Sequence, residues 1–495
     1  MEIRFSRYCP VEVYVLALAA SWPIVVSMSQ ENTTLGELKS SGWRSTSVRT
    51  EIRKNAIGKI RRGEPLIDGI HGYDATVLPQ LETALLAGHD IILLGERGQG
   101  KSRIIRSLIG LLDEWMPIVA GSEINDDPLS PVSAFAKSLI ADMGDETPVS
   151  FVHRSQRFGE KLATPDTSMA DLIGDVDPIK VAEGRYLADE LTMHFGLVPR
   201  TNRGIFAINE LPDLAERIQV GLLSILEERD VQIRGYRIAL PLDVMLIASA
   251  NPEDYTNRGR LITPLKDRFG SQIRTHYPLT AEIELEIVDQ EAFRAPTSDI
   301  EVYFPEYLRA TIASTSALAR TSPAINQRSG VSVRTTVANY EALEAAAIRR
   351  SLLSGEALAV VRPSDFWVLA SSMAGKIELD TVEETDEVAV IQKLVAKSIL
   401  EVFRSRISLD ELRGLVGIFE DGFEVSVGDE VSDEALGKIL ETLPEVQVVV
   451  RRLEARTELP AALSALEFLL EGLHLAKRLN KYQGEYGAIY AKRNR

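Results

Sequence analysis

Between residues 95 and 102 the chain reads Gly95-Glu96-Arg97-Gly98-Gln99-Gly100-Lys101-Ser102, which fits the pattern GxxxxGK[ST]. The flanking residues constrain the fold more than the string itself. Ahead of it, Asp90-Ile91-Ile92-Leu93-Leu94 is a short apolar run of the kind found in a strand buried on both faces of a parallel sheet. Behind it, Ile104, Ile105, Leu108, Ile109 and Leu112 stand three and four apart, as on an amphipathic helix. In a strand, glycine loop and helix of this order, backbone N–H groups turn inward around phosphate oxygens and the helix N-terminus adds its dipole. Lys101 is then expected at the β- and γ-phosphates of a nucleotide, with the Ser102 hydroxyl as a Mg²⁺ ligand.

Similar apolar runs recur at Pro117-Ile118-Val119-Ala120, Gly204 to Ile208, Val244 to Ala248 and Gln272-Ile273, mostly separated by helical segments. The middle of the chain therefore reads as a doubly wound α/β domain with a five-stranded, mostly parallel sheet and helices on both faces. Residues 35–66 are basic with helical spacing, and Leu78 to Leu86 forms an apolar helix stopped by Gly88. After Pro278 the pattern turns helical. The expected division is a nucleotide-binding unit over 28–278, a helical lid over 279–375 and a further helical region over 376–495 of unassigned role. Two acidic runs in the last region, Glu378 to Glu387 and Glu420 to Glu434, read as solvated faces. Val13 to Ser29 carries no charge and follows Arg4 and Arg7, yet Ser21 and Pro23 break it. Residues 1–27 are expected to be an artefactual or disordered lead, with a targeting or anchoring segment as the alternative.

A phosphate cradle needs a group that holds the metal and activates water, at the C-terminal edge of another strand. Ile205-Phe206-Ala207-Ile208-Asn209-Glu210 offers one: Asn209 accepts hydrogen bonds without bringing charge, and Glu210 is the candidate general base. The plainer alternative is a helix cap for Ala215 to Glu227. A third strand ends at Asn251, whose amide would orient the attacking water. Arg268, in Leu265-Lys266-Asp267-Arg268-Phe269-Gly270, is a candidate arginine finger for a neighbouring subunit, with Arg258 and Arg260 as competitors. Arg334 opens a helix in the helical part and would reach back to the γ-phosphate. For any one of these arginines, an ordinary surface position is the alternative.

In this order, with a helical lid, the motifs resemble those of the AAA+ ATPases, and most closely the branch of the magnesium chelatase I-subunit and MoxR proteins. Three stretches carry the finer resemblance: the phosphate loop with Ala84 to His89 before it; Asp171 to Asp177 with Glu183-Gly184, similar to the helix-2 insertion and followed by Leu197 to Gly204; and Asp230 to Ile238, similar to the hairpin ahead of the sensor strand, with Arg234-Gly235-Tyr236 at its turn. The resemblance covers about residues 66–370. It implies that Gly95 to Ser102 bind ATP and Mg²⁺, that Asn209 and Glu210 stand at the Walker B positions with Asn209 near the metal, and that Asn251 is sensor 1. It also implies that Arg268 is the trans-acting finger, Arg334 sensor 2, and Ile70-His71 the loop beside the adenine. Asn209 departs from the family's usual Asp, residues 121–165 lengthen the gap between the first two motifs, and 376–495 match nothing in the pattern.

The function so implied is an ATP-hydrolysing motor that works as a ring homo-oligomer, a hexamer in the family's usual form, remodelling a protein partner such as a von Willebrand A-domain protein. Composition agrees with a globular, cytoplasmic chain: 45% apolar and 26% charged residues exclude disordered and multi-span membrane classes, and the single Cys9 excludes a disulfide framework. Lys plus Arg number 55 against 72 Asp plus Glu, a formal charge of −17 that argues against DNA or a membrane surface as default partner. Two alternatives stay open. One is the ATPase of a sigma-factor-dependent transcription regulator, although the Gly-Ala-Phe-Thr-Gly-Ala loop of those proteins is absent. The other is an ATP-gated scaffold with weak hydrolysis, suggested by Asn209.

Overall fold

The computed structural model describes residues 33–176, 193–228, 230–233, 236–252, 261–294, 300–326, 330–379, 386–428, 437, 440, 444–453, 456, 458–484 and 487–493. The 1–27 lead, Glu183-Gly184, Arg234, Gly235, Arg258 and Arg260 lie outside them. The central sheet has five strands: β1 (Ile91–Leu94), β2 (Phe158–Leu162), β3 (Gly204–Asn209), β4 (Val244–Ala250) and β5 (Ser271–Arg274). They lie in the order β5-β1-β4-β3-β2, and every pairing is parallel. Alternate side chains feed two separate cores. Ile91, Leu93, Ile205, Ala207, Met245 and Ile247 pack on one face, and Ile92, Leu94, Phe206, Ile208, Leu246 and Ala248 on the other. A strand with both faces covered has no polar phase in its sequence, which is why β1, β3 and β4 read as unbroken apolar runs.

Helices α1 (Val48–Arg62), α2 (Val77–Ala87) and α3 (Lys101–Ser107) cover the first face through Val48, Ile52, Val77, Leu81, Ile104 and Ile105. Gly88, at φ +69°, ends α2 in the left-handed C-cap expected of it. Helices α4 (Glu216–Glu228) and α5 (Thr263–Arg268) cover the second face through Ile218, Leu222 and Leu265. The hairpin between α4 and β4 is present, with Tyr236 opposite Ile233.

One strand assignment is corrected. The apolar run Pro117 to Ala120, expected in the central sheet, falls instead mostly in strand Trp115–Val119 of a small antiparallel sheet with Pro148–His153 and Thr33–Thr34. The edge position goes to β2, within the 121–165 insertion. Its sequence Phe-Gly-Glu-Lys-Leu carries two adjacent charges and no residue of it is fully buried, as an edge strand in contact with water allows, so a search for apolar runs passes over it.

A buried ion pair ties α1 to the start of β2. Arg157, fully buried, donates from Nη1 and Nη2 to the two Glu51 carboxylate oxygens at 2.7 and 2.6 Å, and from Nε to the Arg203 carbonyl at 2.9 Å. Removing one partner leaves a charge with neither water nor counter-ion. Glu51→Ala is expected to lower the unfolding free energy by about 3–5 kcal/mol in urea titrations, whereas a loss below about 1 kcal/mol would mean that water reaches Arg157.

Beyond β5 come α6 (Ala281–Glu291), α7 (Glu306–Thr321), α8 (Val333–Ser354), α9 (Glu387–Arg406) and α10 (Leu459–Leu475). The helical expectation holds, with two additions: a parallel ladder of Glu301–Tyr303 with Leu358–Val360, and a three-stranded antiparallel sheet of Val425–Val427, Leu479–Gln483 and Ala488–Lys492. A single apolar core runs from Val288 through Leu343, Ile391 and Phe403 to Phe468 and Tyr490, crossing the boundary expected at residue 375. Among the described residues no helix is long and apolar enough to cross a membrane.

Candidate functional site

The loop from β1 to α3 follows from its glycines. Gly98 and Gly100 adopt left-handed backbone, φ +75° and +73°. A Cβ at Gly98 would collide with Ser332 Oγ, whereas nothing lies within 4 Å of one built at Gly100, so the first glycine permits a close approach and the second keeps space open. Gln99 ties the loop down: its Oε1 accepts from the Glu96 amide at 3.1 Å and from Thr275 Oγ1 at 2.7 Å, while Tyr73 Oη donates to the Gln99 carbonyl at 2.8 Å.

Lys101 is the electrostatic centre. Only 7% exposed, it donates to the carbonyls of Gly95 and Glu96, the latter at 2.8 Å, and to Asn251 Oδ1 at 3.1 Å. Burial pushes its pKa down to about 8; the charges of Glu210 and Glu96 oppose that shift, and Arg334 and Arg97 add to it. Glu210, Asn251 and Arg334, all distant in sequence, thus act on one ammonium. A bound polyphosphate would hold the proton on Lys101, while the free protein loses it as pH rises through about 8. Nucleotide affinity is therefore expected to be flat near neutrality and to weaken at higher pH, by up to about tenfold per unit. Fluorescent-ADP titrations on either side of pH 8 measure this, and a pH-independent Kd would contradict it.

On the opposite wall, Ser102 Oγ donates to Asn209 Oδ1 at 3.4 Å, and Ser249 Oγ donates to the same oxygen at 3.1 Å. Asn209 Nδ2 donates to Glu160 Oε1 at 2.6 Å. Glu210 sits in left-handed backbone, φ +54° and ψ +46°, with its amide donating to Ser249 Oγ at 3.3 Å. A non-glycine residue in that region costs on the order of 1–3 kcal/mol, a strain that concentrates at functional sites. A hydroxyl and an amide oxygen side by side at the mouth of a phosphate loop suit Mg²⁺, which takes few protein ligands beside phosphate and water. With ATP bound, the cation would neutralise charge on the β- and γ-phosphates.

The other expected residues fall in different places. Arg334 lies in the first turn of α8, whose N-cap Ser332 sits against Gly98, so the lid brings it to the loop. His71 bonds Gln290 Oε1 through Nε2 at 2.8 Å and pairs with Glu286 at 3.3 Å, both on α6, and Ile70 packs half-buried against the core beneath the loop. Asn251 directly follows β4, which pairs with both β1 and β3. Arg268 is not among the groups acting on Lys101. It ends α5 just ahead of β5, whose Ser271 pairs with Ile91, so it stands at the opposite end of β1 from the loop. Ser249 and Glu160 were not expected from the sequence. Glu160 was hidden by the misplaced edge strand, and Ser249 has the period-2 spacing to Asn251 as its only signal.

A phosphate loop on β1, a polar pair on β3 and a sensor strand between them, in a 5-1-4-3-2 parallel sheet with a helical lid, define the core of an AAA+ ATPase. A family model described as the Sigma-54 interaction domain matches residues 182–268. The chain is 30% identical over 227 residues to magnesium-chelatase subunit ChlI of Anabaena variabilis, covering 44% of this chain and 62% of that protein. It is 31% identical over 215 residues to the chloroplastic subunit ChlI-2 of Arabidopsis thaliana, covering 41% and 46%. These similarities support a magnesium-chelatase I-like reading of the AAA+ core, and the chain spans about half of the length of these curated relatives. Among solved structures, a cryo-EM-based complex between subunits BchI and BchD of magnesium chelatase matches at 19% identity and a TM-score of 0.33, covering 66% of this chain and 99% of that one. NtrX from Brucella abortus with ADP matches at 14% and 0.37, covering 82% and 73%.

Proposed function

We propose that this chain binds ATP with Mg²⁺ and hydrolyses it to ADP and phosphate, as the motor subunit of a homo-oligomeric ring that remodels a protein partner. The observation that carries this reading is the convergence of Lys101, Asn251, Glu210 and Arg334 around one loop, from the start of α3, the ends of β4 and β3, and the lid. In it, Gly95 to Ser102 hold the phosphates, Ser102 and Asn209 face the metal, Glu210 polarises the attacking water and Asn251 positions it. Ile70 and His71 border the base, Arg334 links the lid to the γ-phosphate and Arg268 serves the next subunit. The family resemblance supports a hexamer, a von Willebrand A-type partner and a cytoplasmic setting; residues 279–375 and 376–495 are read as a lid and its extension. Steady-state phosphate release tests the reading. Wild type should turn over ATP, and Lys101→Ala, without the charge that meets the phosphates, should give background. Equal rates in the two would overturn it.

A second reading, an ATP-gated scaffold with slow hydrolysis, is favoured by Asn209 standing where a carboxylate is usual. It predicts tight ATP binding with a release rate that Glu210→Gln does not change.

A further inference from the structure

Asn209 leaves the metal side of the loop one negative charge short of the family pattern. A carboxylate nevertheless reaches that place from the neighbouring strand. β2 runs parallel to β3 with Glu160 opposite Ala207, and Glu160 Oε1 accepts from Asn209 Nδ2 at 2.6 Å. The other end of the same amide, Oδ1, meets the Ser102 and Ser249 hydroxyls. A carboxylate only accepts, so it selects the NH₂ end of the amide and turns the oxygen toward Ser102. Glu160 is itself fixed. Arg106, one turn after Ser102 on α3, grips it with Nε at 2.7 Å and Nη2 at 3.0 Å, a two-pronged geometry that sets direction as well as distance. Its side chain is only 20% exposed, against 63% for Arg106.

We propose that Glu160 is the acidic residue of the divalent-cation site: acting through Asn209, it aims the amide oxygen at the cation and supplies the negative charge that Asn209 lacks. The charge of the usual Walker B Asp is thus moved one strand sideways in the sheet. Glu160 is a positioning residue here, since Asn209 stands between it and the cation. Outer partners of this kind orient the inner ligand and tune its donor strength. The inference rests on the nucleotide and Mg²⁺ reading of the loop.

The test is the Mg²⁺ contribution to nucleotide binding, measured on the full chain as the ratio of fluorescent-ADP Kd values in EDTA and in excess Mg²⁺. Glu160→Gln keeps an acceptor beside Asn209 but removes the charge; it should reduce that ratio about tenfold or more and leave the EDTA value unchanged. Asn209→Asp alone sets two carboxylates against each other and should also reduce it. The double variant Asn209→Asp/Glu160→Gln returns one charge to the usual strand and should recover most of the wild-type ratio. An unchanged ratio in Glu160→Gln, an equal loss in EDTA, or a double variant no better than Glu160→Gln would each overturn the proposal. Wild-type protein that binds no ADP in either buffer would remove the nucleotide reading itself, a failure distinct from these.

Discussion

Arg268→Ala is expected to lower steady-state ATP turnover by about a thousandfold or more while leaving ATP binding intact, the range associated with loss of an arginine finger. The direction of the strands underlies this. The phosphate loop leaves the C-terminal end of β1 at Leu94, and Arg268 precedes β5, whose first residue pairs with the opposite end of β1. An arginine there lies at the far end of β1 from the loop of its own chain; in the proposed ring its finger role would be toward a neighbouring subunit. Mixing decides the matter. Lys101→Ala subunits keep a finger but lack a working loop, and Arg268→Ala subunits keep the loop but lack the finger. Combined, the two inactive proteins should regain turnover. A mixture as inactive as its parents would remove the trans assignment, and an Arg268→Ala variant with wild-type turnover would remove the finger altogether.

Glu210→Gln should have the second large effect, a loss of about 10²–10⁴ in the rate of phosphate release with ATP affinity preserved, because a positioned general base contributes on that order. The substitution keeps the length and shape of the side chain, so the left-handed turn and the Ser249 contact remain and the change lies in basicity. Single-turnover release with prebound ATP separates chemistry from binding. A variant rate within a few-fold of wild type would shift the assignment to the scaffold reading. A lost rate with persistent ATP binding would also furnish a trapped form with which to capture the remodelled partner.

How much of this was legible in the sequence depends on burial. β1, β3 and β4 declare themselves as apolar runs because both faces are covered, and the loop declares itself because the left-handed backbone at Gly98 and Gly100 favours glycine. The cap at Gly88 follows from an equally local rule. The edge strand obeys no such rule. With its outer edge open to water, Phe158 to Leu162 carries two charges and reads like a surface segment, and the apolar Pro117 to Ala120 run stands in its place although that stretch pairs elsewhere. The same limit governs the site. Lys101, Ser102, Glu210, Asn251 and Arg334 were legible by type and order, while Glu160 acquires its meaning only from the register that sets it beside Asn209. The shared core across residue 375 was hidden too, since periodicity marks which face of a helix is apolar but not which helix meets it.

Helix α8 has a mechanical implication. It runs 22 residues, about 33 Å at 1.5 Å per residue. One tip rests on the loop through Ser332 and carries Arg334; near the other, buried Arg350 is bolted to Asp365 at 3.1 Å. Densely packed interiors shift as blocks rather than flexing continuously. In the proposed function the helix would act as a lever arm with one end at the phosphate loop, and everything sharing its core, as far as Tyr490, would be the load it carries.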